Sequence, residues 1–192
     1  MKRFLLTALL FSFTLLVFSQ SLNDLDKKRG YKDFTLGDLF SKWENSLVFD
    51  RKENSETTYR YGGSNSDLFN TYSINGIYLK FVQFKLVNIN IILNKWTDKD
   101  APDREKSLKN YTERFGDIGS RFKLLFGGAT KTEVPDYKIT EGEILWTSRA
   151  VWGAKKTHLE LTFKYAELQN TGFISVQISD NAYLVKSLTE GF

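Results

Sequence analysis

The sequence predicts an α+β fold: an antiparallel sheet of about six to seven strands packed against one short and one long amphipathic helix. Three observations carry this. Ile77, Leu79 and Phe81 alternate with Tyr78, Lys80 and Val82, and Val87, Ile89, Ile91 and Leu93 then alternate with Asn88, Asn90 and Asn94. Apolar residues set against Asn mark strands with one wet face. The C-terminal third repeats the pattern: Ile144, Trp146, Ser148, Ala150 and Trp152 share one strand face, and Leu159, Leu161 and Phe163 alternate with His158, Glu160, Thr162 and Lys164. Between the two blocks, Leu108, Tyr111, Phe115, Ile118, Phe122 and Leu125 step by three and four, which keeps one helical stripe apolar.

In chain order, Lys2 and Arg3 precede an uncharged apolar run from Phe4 to Phe18, and Val17-Phe18-Ser19 places small residues at the cleavage positions. This charged, apolar, small-residue order predicts a signal peptide over residues 1–19, cut between Ser19 and Gln20. The run falls short of the roughly 20 apolar residues a membrane span needs. Residues 20–32 are polar and predict a flexible segment, with a single domain over 33–192. Asp33-Phe34-Thr35-Leu36-Gly37 reads as a short strand or turn. Asp38 then caps an expected short helix whose apolar face is Leu39, Phe40, Trp43 and Leu47. Residues 50–57 read as a charged loop, Tyr59-Arg60-Tyr61 as a strand, and 62–71 as a Gly-rich loop. The hairpin of 77–93 must reverse between Val82 and Leu86, where no Asn-Gly or Asp-Gly pair helps it. Asp100 and Pro102 open the long helix, and Gly127-Gly128 close it. Gly116 and Gly119 inside it each cost about 1 kcal/mol relative to Ala and favour a kink. Phe173–Ile178 and Tyr183–Leu188 complete the predicted strands.

Composition narrows the function. The 192 residues contain no Cys, so disulfides and a lipid-bearing cysteine are both excluded. Stability must come from packing, and 4 Trp, 9 Tyr and 16 Phe supply large buried areas for it. The formal charge of +4 falls to +2 once Lys2 and Arg3 leave with the signal, and the remaining charges are interleaved. That pattern gives no basic stripe for nucleic acid. There is no G-x-S-x-G elbow. The single histidine, His158, lies on a polar strand face, so catalytic residues are not assigned. A zinc site would need several His or Cys ligands. The acids Asp98, Asp100, Asp103 and Glu105 do not follow a calcium-loop order, because Pro102 stands at the fifth position. Their place at a helix start is accounted for by the helix dipole. No metal and no cofactor are therefore expected.

What remains is aromatic surface. Trp146 and Trp152 sit six residues apart on one face, about 20 Å along an uninterrupted strand, with small Ser148 and Ala150 between them. Exposed, they would form a sugar or peptide platform; inward, they are core. Tyr59 and Tyr61, beside the Gly-rich loop, are a weaker version of the same pair.

Gly37-Asp38 before the short helix, Phe126-Gly127 at the end of the long one, and Trp146 in the following strand group give a layout that resembles small exported α+β envelope domains of the SmpA/OmlA-like and β-lactamase-inhibitor-like kinds. The resemblance implies a non-catalytic, protein-binding role in the bacterial envelope. The chain differs from the first group in lacking its lipid-attachment cysteine and in the length of its second helix. The expectation is thus an exported binding module, periplasmic or secreted, without a membrane anchor after cleavage, whose partner is an envelope protein or a glycan. The alternative is a protein that binds or hydrolyses carbohydrate.

Overall fold

The computed structural model describes residues 21–64, 67–93, 96–97, 104–140, 143–169 and 171–189. The expected signal segment 1–19 and the expected helix start at Asp100–Pro102 lie outside these. In chain order the elements are α1 (Leu22–Lys28), a small ribbon of β1 (Gly30–Tyr31) and β2 (Phe34–Thr35), two 3-10 turns (Phe40–Lys42 and Glu44–Ser46), then β3 (Leu47–Glu53), β4 (Glu56–Tyr61), β5 (Ile74–Val82), β6 (Lys85–Leu93) and β7 (Trp96–Thr97). After these come α2 (Arg104–Phe126), β8 (Lys131–Thr140), β9 (Glu143–Gly153), β10 (Thr157–Ala166), β11 (Thr171–Asp180) and α3 (Asn181–Thr189).

The fold is α+β, with a large antiparallel sheet. Nine described strands form it in the order β3-β4-β5-β6-β11-β10-β9-β8, with β7 beside β11. Two meanders, β3–β6 and β8–β11, are joined where β11 pairs with β6 in the register Val176–Ile91 and Ile178–Ile89. The alternating residues Leu79, Ile89, Ile91, Leu161, Phe163 and Ile174 are fully buried on one face. Of the predicted stripe of α2, Tyr111, Ile118 and Phe122 are buried against that face and Leu108 and Phe115 partly so, whereas Leu125 is exposed and Phe126 takes the buried place at the end of the helix. Gly172 makes this approach possible: a Cβ there would lie 2.8 Å from the Tyr111 ring, whose hydroxyl donates to the Gly172 carbonyl at 3.2 Å.

Several expectations change. The strand count exceeds six to seven because the charged segment 50–57 joins a hairpin of β3 and β4, and β8, with no clear alternation, pairs as an edge strand. The predicted short helix over 38–47 is two 3-10 turns instead. The backbone of Gly37–Phe40 bonds laterally to the 84–86 turn through Gly37 N to Leu86 O, Leu86 N to Asp38 O and Phe40 N to Phe84 O, each 2.8 Å. Those groups are then unavailable to an i to i+4 ladder. The reversal of the β5–β6 hairpin falls within the expected window, at Gln83 and Phe84, both at positive φ (49° and 63°). This is the twist-compatible two-residue turn, built without Asn or Gly and tied down by the Phe40 amide.

At the N-terminal side, residues expected to be flexible form α1. Ser21 and Asp24 make a capping box, Leu25 is buried, and Arg29 pairs with Asp180 at 2.5 Å. At the C-terminal side, Tyr183–Leu188 is helical rather than a strand. Asp180 Oδ1 accepts from the Ala182 amide at 2.8 Å, and the Asn181 side chain donates to the Ala154 carbonyl at 2.7 Å, so β11 ends in a cap that starts α3.

Candidate functional site

The two tryptophans share the helix-side face of β9, as their spacing requires, but only one is fully buried. Trp152 is 1% exposed; its Nε1 donates to the Gly127 carbonyl at 2.9 Å at the end of α2, and its ring lies 5.5 Å from Phe122. It is core, so the expected platform of Trp146 with Trp152 does not exist at the surface. Trp146 is half-buried and packs against the margin of the core. Its Nε1 donates to Glu167 Oε2 at 3.2 Å, and its ring stands 5.2 Å from Tyr137, which is 54% exposed on the edge strand β8. Tyr59 and Tyr61 are half-buried rings packed on the core: Tyr59 contacts Phe40, Phe49 and Phe81, and Tyr61 meets Phe34 edge-on at 5.0 Å.

The opposite face of the sheet is polar. Residues paired in register share a face, and one transverse row runs Tyr78, Asn90, Gln177, Glu160. A parallel row runs Arg51, Thr58, Lys80, Asn88, Ser179, His158. Over β9–β11 the face bonds to itself. Glu160 accepts from Arg149 Nη2 at 2.6 Å and from Thr162 Oγ1 at 3.0 Å, and His158 Nε2 stands 3.4 Å away. Burial alone would raise the Glu160 pKa, but these partners hold it at about 2. At the end nearest α3, Lys80 donates to Glu56 at 2.5 Å and to Tyr183 at 3.2 Å, while Tyr183 donates to Glu56 at 2.7 Å. Burial would lower the Lys80 pKa; the bonds to Glu56 and Tyr183 raise it, so the ammonium stays charged.

Between these networks, over β3–β6, the face opens into a depression of about 290 Å³ lined by Asp50, Arg51, Thr58, Tyr78, Lys80, Asn88, Asn90 and Ile92. Asn90 Oδ1 is buried there and has no hydrogen-bond partner among the described residues. Asn88, by contrast, donates to Ser179 Oγ at 2.7 Å. The depression therefore combines cations, an acid, amides and a phenol, with one acceptor unmet.

Comparison of the chain with family models, curated proteins and solved structures returns no match.

Among the described residues, no group of three or more acids and histidines stands close enough to hold a metal ion, and no helix is long and apolar enough to cross a membrane. Sequence reasoning placed Tyr78, Lys80, Asn88 and Asn90 on a wet strand face but did not single them out. Asp50 and Arg51 read as loop residues. A charged stretch flanked by Val48-Phe49 and Tyr59-Arg60-Tyr61 was the available sign of a hairpin that walls in the depression.

Proposed function

We propose that the protein is an exported, non-catalytic binding protein of the bacterial envelope whose seat is the polar depression over β3–β6. The observation that carries this reading is Asn90. A buried amide oxygen without a partner is expensive in a folded chain, and a ligand donor entering the depression satisfies it. The surrounding set of Asp50, Arg51, Lys80 and Tyr78 favours a polar segment carrying donors and acceptors together, as on a protein surface. The apolar run after Lys2 and Arg3 supports export, and the absence of cysteine supports release after cleavage. The likeness to SmpA/OmlA-like or β-lactamase-inhibitor-like domains belongs to the same proposal.

The test is capture from an envelope fraction with the full mature chain as bait, followed by affinity measurement on the recovered partner. Asn90→Ala is expected to weaken binding about 3- to 10-fold, the value of one hydrogen bond. Equal affinity for Asn90→Ala and wild type would move the seat elsewhere.

A second reading has its own observation. Trp146, packed at a tilt of 45° against exposed Tyr137 with Glu167 at its indole, suits a sugar ring on the β8–β9 edge. Glycan binding abolished by Tyr137→Ala but untouched by Asn90→Ala would favour it over the first.

A further inference from the structure

The helix-side face holds a second cavity, on the other side of the sheet from the polar depression. It has a volume of about 230 Å³ and lies between α1, the 67–70 turn and the C-terminal end of α2. Leu25 and Leu68 form its sides, Phe122 and Phe126 come from α2, and Leu159 and Val176 rise from the sheet. Protein interiors seldom leave a space larger than a water molecule unfilled, and an apolar cavity of about 150 Å³ suffices for benzene. The first of the helices around it has only seven residues and docks through Leu25, and the backbone of three lining residues is held in the left-handed region: Lys32 at φ 52°, Phe69 at 54° and Asn70 at 56°. For a bulky residue such as Phe69 that conformation is strained, and strain of this kind concentrates at ligand clamps.

The mouth of the cavity is charged unevenly. Lys28 and Lys32 both line it and are exposed, against one acid among the described lining residues, Asp67. Lys28 forms no ion pair among the described residues, and Lys32 stands 5.0 Å over the Tyr31 ring. An apolar interior beneath two cations selects a ligand with an apolar body and an anionic end. We propose that this cavity binds a small apolar carboxylic acid, a ring or a short acyl chain, with its carboxylate at Lys28 and Lys32. The volume is too small to enclose a long lipid chain, and the site is independent of the polar depression.

The experiment titrates the full mature chain with octanoate, octan-1-ol and octylamine, following backbone amide shifts and heats of binding. Octanoate is expected to bind saturably, with shifts confined to residues 25–32, 67–70 and 122–126, and more tightly than the alcohol or the amine. Lys28→Gln with Lys32→Gln, both at exposed positions that leave the core intact, should weaken octanoate about 3- to 10-fold, as two surface charge contacts do, and leave octanol unchanged. The proposal is overturned if octanoate fails to saturate, if the alcohol or amine binds as well, if the lysine changes have no effect, or if the shifts map to the polar face. Asn90→Ala should not alter octanoate binding, which separates this site from the one proposed above.

Discussion

Glu160 shows how much of this protein's polar chemistry is internal support. Its carboxylate is held at about 2 instead of the usual 4.5, because Arg149, Thr162 and His158 surround it against the pull of burial. A depressed carboxyl stabilises the fold above its unfolded pKa, and that contribution drains away as pH falls from about 4.5 towards 2. With solvent screening at the part-exposed Arg149, it is worth about 1–2 kcal/mol at neutral pH. Glu160→Gln should lower stability by that amount at pH 7 and match wild type near pH 2, as urea unfolding at the two pH values will show. Gly116 offers the opposite sign. It sits within α2, and a Cβ there would meet nothing within 4 Å. Gly116→Ala should therefore stabilise by about 0.5–1 kcal/mol, through the entropy of the unfolded chain. A rise of about 1–4 °C in the thermal midpoint is the corresponding measurement. Both residues were visible in the sequence, Glu160 as a wet strand position and Gly116 as a weak point in a helix. Only the fold showed that Glu160 gathers three partners and that the space beside Gly116 is open.

At the scale of elements, α1 and the 38–47 segment share a lesson. A seven-residue helix has little stability of its own, and nothing in the polar run before Gly30 announced it. It forms because distant groups receive it: Leu25 enters the core, Arg29 pairs with Asp180, and Asp26 accepts the Lys156 amide at 2.9 Å. Leu25→Ala should cost about 2–4 kcal/mol. Amide exchange at residues 22–29 should rise more than in the central strands, because the residue ties one element and not the sheet. The 38–47 segment had apolar spacing suitable for a helix, and Asp38 suited a cap. Its backbone instead pairs with the Phe84–Leu86 turn, and Asp38 accepts from the Thr35 amide, Lys42 and the Trp43 indole. Periodicity measures which side chains want burial; it does not say which distant backbone competes for the same hydrogen bonds.

Across the whole molecule, the β6–β11 pairing brings together residues more than eighty positions apart in sequence and unites two meanders into one sheet, with α2 packed on its apolar face. The buried core runs through both meanders without a break, from Leu79 and Ile91 to Leu161 and Phe163. Unfolding should be a single cooperative transition, with far-ultraviolet dichroism and tryptophan fluorescence giving coincident curves. Separated curves would mean that the meanders hold independently. The amino-acid order by itself determined the long amphipathic helix, the alternating strands, the one wet face and the aromatic core, since each follows from local periodicity and composition. The tertiary structure alone decided which tryptophan is core and which is half-buried, because that depends on which side chains pack over each ring. It also decided that Asn90, Tyr78, Lys80 and Arg51 meet around one depression, and that an apolar cavity opens beneath Lys28 and Lys32. Both sites arise where separate elements converge, and convergence is a property of register and packing that no single stretch of the chain contains.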